Sequence, residues 1–167
     1  MELAEYIDKI ECKLINNFDI YKNHEINDLN YDLYAKFFMR NEKYLLVKKA
    51  VIYAFENNEH VLMKHYKNFD NNDYNNFMDN LIKSIKTVIN PSREHMSSIV
   101  TGVIVADNVS EWDLEHIKKS VSKFRYNKSF AFGYKGWAEV RLVLVSLRSG
   151  LVSCNKAGKE VISLYNL

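Results

Sequence analysis

The sequence holds 167 residues, 47% of them hydrophobic, with a formal net charge of +2. A chain of about 150 residues can bury roughly 68–70% of the surface it exposes when unfolded, so one core is expected. One proline and five glycines leave no flexible linker and no repeat period, which excludes two-domain and solenoid readings and makes residues 1–167 a single domain.

No apolar run reaches the ~18–20 residues that span a bilayer, and Glu2 and Glu5 stand where a secretory leader would be basic. A cytoplasmic protein without a membrane role is expected. Cys12 and Cys154 have no CxxC spacing, which excludes a disulfide framework and a cysteine-rich zinc site. The excess of basic side chains falls after residue 90, a mild asymmetry that leaves nucleic acid open as a partner.

Leu3, Ile7, Ile10, Leu14 and Phe18 recur at helical spacing, so residues 2–17 read as an amphipathic helix. Asn16-Asn17 and the polar stretch 22–30 read as a connection. From Tyr31 the period becomes two, giving a strand to Arg40 that Asn41 and Glu42 turn. A second strand follows over 43–56, with a bulge near Lys48-Lys49. Asn57-Asn58 then suits a two-residue type I′ turn into a third strand, 59–66.

Tyr74, Phe77, Leu81 and Ile85 mark a helix that Pro91 ends. Residues 98–106 read as a buried central strand. Ser110 with Asp113 resembles a capping box opening a helix with Ile117 and Val121 inside. Residues 128–132 read as a short strand and 133–136 as a turn. The run from Ala138 to Leu147 is rich in Val and Leu, with apolar side chains on both alternating faces over Leu142 to Val145, hence a strand covered on both sides, and Arg148-Ser149-Gly150 folds it into a hairpin with 151–154. A last strand is expected over 161–165. The fold class is α+β, a mixed, mainly antiparallel sheet with about three helices in the order α-β-β-β-α-β-α-β-β-β-β.

Candidate functional groups are scattered. If Asn57-Asn58 closes a hairpin, Glu56 lies opposite Glu59, and such a like-charge pair calls for solvent or a bridging divalent ion. Asp107 follows a buried strand, where α/β proteins often place ligand groups, although loop chemistry alone also selects Asp there. Tyr134, Lys135 and Trp137 belong to a glycine-flanked loop that could stack a base or clamp a partner, whereas Trp137 could equally fill the end of the core. Beside it, residues 118–128 are basic with interleaved aromatics. Glu139 and Arg141 share one strand face and must pair with each other or with neighbours if buried.

No nucleotide fingerprint, no zinc spacing and no nucleophile motif is present, so no cofactor and no catalytic residue is assigned. The expected function is partner binding or self-association as a homo-oligomer.

Two resemblances add to this reading. Glu94 to Gly102 and Lys128 to Trp137 resemble uncharacterised conserved proteins of clostridia-like bacteria, over most of the chain and without an assigned activity. The element order of residues 1–106 is similar to that of the PD-(D/E)XK nuclease-like core. That resemblance implies Mg²⁺ held beside a scissile phosphate by an Asp and a Glu-x-Lys pair, but no Glu-x-Lys occurs over 43–66. Asp32 and Lys64 are the residues that remain of the pattern. Period-two parity in the expected hairpin separates both glutamates from that lysine. A divergent nuclease, or an inactive relative that binds nucleic acid, is therefore the alternative.

Overall fold

A computed structural model describes the backbone of residues 1–44 and 51–167 and the side chains of 1–40 and 55–167. In chain order the elements are α1 (Leu3–Leu14), β1 (Asp19–Ile26), β2 (Leu29–Tyr44), β3 (Val51–Phe69), α2 (Asn71–Val88), β4 (His95–Val109), α3 (Leu114–Lys123), β5 (Asn127–Ser129), β6 (Trp137–Ser146), β7 (Leu151–Cys154) and α4 (Ile162–Tyr165). Two short 3-10 turns, Ala131–Gly133 and Ala157–Glu160, flank β6 and β7.

The seven strands form one mixed sheet, ordered β1-β2-β3-β4-β6, with β5 and β7 both on the far side of β6. β3 runs parallel to β4 and β4 to β6, while the other pairs are antiparallel. The fold is thus α+β with a mixed sheet.

Strand parity builds two cores. Val100, Ile104, Ala138, Val140, Leu142 and Leu144 point to the face where α2 supplies Phe77, Leu81 and Ile85 and α3 supplies Ile117 and Val121. Val103, Val105, Val143 and Val145 point the other way, against Tyr6, Ile10 and Leu14 of α1 and Tyr165 of α4. Helices on both faces are the reason that β4 and β6 read as continuous apolar runs. Gly102 lacks a side chain where α2 lies closest, because a Cβ there would come within 2.7 Å of Leu81 Cδ2.

The first three strands differ from expectation in their boundaries. Residues 22–30 are no connection: β1 occupies most of them as a largely exposed edge strand, whose polar outer face hides its period. Asn27 and Asp28, at φ 51° and 65°, make the two-residue turn into β2. Asn23, at φ 50°, is left-handed within the edge strand, where the ladder passes from Lys22 to His24 without a change of register.

Neither Asn41-Glu42 nor Asn57-Asn58 is a turn. Asn41 pairs with Phe55 and Glu42 with Ala54, while Asn57 and Asn58 pair with Met39 and Phe38 on one side and with Ser97 and Ser98 on the other. Asn57 is satisfied inside the sheet, its Oδ1 accepting from the Ser97 hydroxyl at 2.6 Å. The expected bulge at Lys48-Lys49 lies outside the described residues; the register shifts between Lys43 and Tyr44.

The capping box belongs to α2, not α3. Asp70 accepts from the Asn72 and Asp73 amides and Asp73 reaches back to the Asp70 amide, whereas Asp113 makes no side-chain cap bond. The segment 161–165 is helical, because its apolar spacing serves a one-turn helix as well as a strand.

One edge of β6 is shared in an unusual way. β5 covers Trp137 to Glu139 and β7 covers Val143 to Ser146, leaving the middle without a strand. Asn155, 1% exposed, fills that gap with its side chain. Its Oδ1 accepts from the Leu142 and Gly158 amides at 3.0 and 2.8 Å, and its Nδ2 donates to the Val140 carbonyl at 2.9 Å. The carboxamide replaces the missing peptide of a neighbouring strand.

Candidate partner-binding surface

Three places gather polar or aromatic side chains, one at each end of the parallel strands and one on the face between them. At the carboxyl end, β2, β3 and β4 bring Asp32, Lys64, His65 and Asp107 together. β4 runs on to Val109, so Asp107 is a strand residue and not a loop residue. Its Oδ1 accepts from His65 Nε2 at 2.8 Å, Asp32 Oδ2 accepts the His65 backbone amide at 2.7 Å, and Lys64 Nζ lies 3.6 Å from that same oxygen. The group is internally paired, and among the described residues no set of three His, Cys, Asp or Glu could hold a metal ion.

On the α1/α4 face, Arg141 is 8% exposed and does not pair with Glu139. Its Nη2 donates to Glu160 Oε2 at 2.7 Å, and its Nη1 lies 3.6 Å from Glu59 Oε2 across the sheet. Glu59 is therefore the partner of an arginine, and Glu56 lies 3.8 Å from Arg40. The proposed Glu56/Glu59 pair is not formed: with Asn57-Asn58 inside one continuous strand, residues three apart point to opposite faces and share no ion. Parity does separate Glu59 from Lys64, though not through a hairpin. Glu139 lines a shallow cavity with Arg125, Lys156 and Glu160.

The amino end is different in kind. Here the loop between β5 and β6 presents Phe132, fully exposed, and Tyr134, 86% exposed. Lys135, Met96 and Trp137 are also exposed beside them. Trp137 therefore faces solvent and does not fill the core, since β4 and β6 extend past the helices that cover their middles. Residues 128–132 are a strand only as far as Ser129.

At Ala131 and Phe132 the chain turns left-handed, φ 47° and 55°, before Gly133 and Gly136 at φ 95° and 76°. Non-glycine residues in this region are strained by about 1–3 kcal/mol each, so the surroundings must hold them there. They do so through backbone bonds: Phe130 N–H to the Gly136 carbonyl at 2.9 Å, Lys135 N–H to the Phe130 carbonyl at 3.1 Å, and Gly136 N–H to the Gly133 carbonyl at 3.0 Å. His95 completes the anchor. Its Nδ1 donates to the Lys135 carbonyl at 2.6 Å, since a carbonyl only accepts, and its Nε2 meets the buried Ser98 hydroxyl at 2.8 Å. Gly136 is required where it packs, because a Cβ would come within 2.5 Å of the Met96 carbonyl oxygen.

Residues 2–167 match the family model described as Domain of unknown function (DUF8052). The chain belongs to that family. No curated protein and no solved structure matches it. Membership over nearly the whole length agrees with the resemblance to conserved proteins without an assigned activity, and it leaves the site to be read from this family member's own geometry. Among the described residues no helix is long and apolar enough to cross a membrane.

Tyr134, Lys135 and Trp137 stand out in the sequence because each of two glycines precedes an aromatic residue. Phe132 was hidden inside an expected strand, and the contribution of Met96 and His95 depends on β4 lying beside the loop. Asp107 and Arg141 fall into the two paired clusters, Glu139 lines the cavity with Arg125, and none of the three joins this surface.

Proposed function

We propose that the protein is a non-enzymatic binding module whose contact surface is the loop Phe130–Trp137 at the amino ends of β4 and β6. The observation that carries this reading is Phe132. An aromatic ring fully in solvent, on backbone held left-handed by a closed set of hydrogen bonds, contributes nothing to the fold that the strain could offset. Tyr134 beside it, 86% exposed, extends the same surface. Rigid aromatic side chains make large contacts at low entropic cost, which suits them to recognition.

The test replaces Phe132 by a photoreactive diazirine phenylalanine in cells, with the same group at Tyr21, an exposed ring on the distant edge strand, as the control. Adducts at position 132 and none at 21 support the reading. Absence of adducts at 132, or equal labelling at both positions, contradicts it.

A second reading has one observation in its favour, the 3.6 Å approach of Asp32 and Lys64 in a sheet whose first four strands are neighbours in chain order. It would make the protein a divergent metal-dependent nuclease. Against it, Leu62 stands two residues before Lys64 on the same strand face, fully buried, where the two-carboxylate chemistry needs an acid. Heat on Mg²⁺ or Mn²⁺ titration that Asp32→Asn removes would favour this reading. A flat titration together with intact plasmid would set it aside.

A further inference from the structure

Building on the reading of that loop as a contact surface, we infer that its partner is single-stranded nucleic acid, seated in the cleft beside the loop and stacked on its exposed rings. The cleft, of about 310 Å³, lies between the end of α2 and β5. Ile85 and Ile89 give it an apolar wall, Tyr126 and Phe130 line it with rings, and Lys86 and Lys128 stand among them. Lys128 Nζ sits 5.3 Å from the Phe130 ring centroid. A cation beside an aromatic plane is the pairing that takes a phosphate and its base together.

Charge complementarity supports this choice of occupant. Residues 85–91, which supply one wall, hold Lys86 and no carboxylate. Residues 126–138, which supply the other wall and the loop, hold Lys128 and Lys135, again with no carboxylate. Glu94 at the margin is held by Arg40 at 3.0 Å. The side chains that line the cleft thus include two cations and no carboxylate, which attracts a polyanion.

The rings select among polyanions. Phe132 and Tyr134 offer faces to bases that are already unstacked, which a duplex does not present without paying for unpairing. An acidic peptide would use the lysines and leave the rings without a matching plane.

Fluorescence anisotropy with labelled oligo-dT and oligo-U of about 12 nucleotides, at about 50 and about 200 mM salt, tests the inference. The comparison set is the parent, Lys86→Ala/Lys128→Ala and Phe132→Ala/Tyr134→Ala, with a duplex and a poly-glutamate peptide of the same length as competing probes. Melting curves close to the parent's, expected for exposed or cleft-lining side chains, establish that the variants are folded.

Binding should weaken about tenfold or more in each double variant. The lysine pair should lower the slope of log K against log salt by about 1–1.5, at ~0.7 per phosphate contact. The ring pair should lose affinity and keep the slope. No anisotropy change at low salt, equal binding of the poly-glutamate, or oligonucleotide binding that neither variant weakens overturns the inference. Protein-only adducts at position 132 in the crosslinking experiment would also overturn it while leaving the loop as a contact surface. No adduct there removes both.

Discussion

His60 in β3 is 6% exposed, with Nδ1 3.0 Å from the Tyr34 hydroxyl and its ring stacked at 6.0 Å on that of Tyr34. Burial, helped by the Lys36 charge, lowers its pKa to about 4, and burial raises Tyr34 to about 12. The native value lies below the unfolded value of about 6.5. Between these two pH values the unfolded chain binds more protons, so stability rises with pH across the window, is complete above it and declines towards pH 4. The contribution at neutral pH is on the order of 3 kcal/mol relative to acid. Denaturant midpoints at about pH 4.5 and pH 7 should therefore diverge more in the parent than in His60→Asn, whose amide can still meet the Tyr34 hydroxyl. Equal pH dependence in the two proteins would show that His60 is not held neutral by its surroundings. Nothing in the spacing of the five histidines announces this one, because its neighbours Tyr34 and Lys36 come from a strand whose register the sequence leaves open.

At the scale of elements, β6 decides the architecture and two substitutions examine it. Leu144 is fully buried under α2 and α3, so Leu144→Ala should cost on the order of 2–5 kcal/mol through lost transfer energy and a cavity. Lys135→Ala, exposed and tied to the fold through its backbone, should stay within about ±0.5 kcal/mol. Chemical denaturation measures both, and indistinguishable midpoints would mean that β6 is peripheral.

Asn155 examines the same strand from its edge. Asn155→Leu keeps the volume but leaves the Leu142 amide and the Val140 carbonyl without partners, at about 1–3 kcal/mol for each buried group. Loss of amide protection at Leu142 and a lowered midpoint are expected, and unchanged exchange there would contradict the role given to the carboxamide. β4, β6 and the β6–β7 hairpin were legible because a two-sided core leaves an unbroken apolar run. The boundaries of β1 to β3 were not, since Asn57-Asn58 carries a turn signal that flanking strands override and β1 has too little buried surface to show a period.

For the whole molecule, the sheet separates two ends with different chemistry. The carboxyl ends of β3 and β4 hold charges that satisfy one another: Asp107 with His65, and Asp32 with Lys64 and the His65 amide. The amino ends of β4 and β6 hold exposed rings on a loop fastened by His95 and a carboxylate-free pair of walls. Part of this surface could be read along the chain, through Tyr134, Lys135 and Trp137. The rest could not, because Lys86 on α2 and Lys128 on β5 meet only across the fold.

Amide-resolved NMR during titration with oligo-dT tests the assignment of the surface most directly. The account predicts shifts confined to residues 85–91 and 126–137, with the His65 and Asp107 amides unmoved. Shifts centred on His65, Lys64 and Asp107, or none at saturating oligonucleotide, would contradict it.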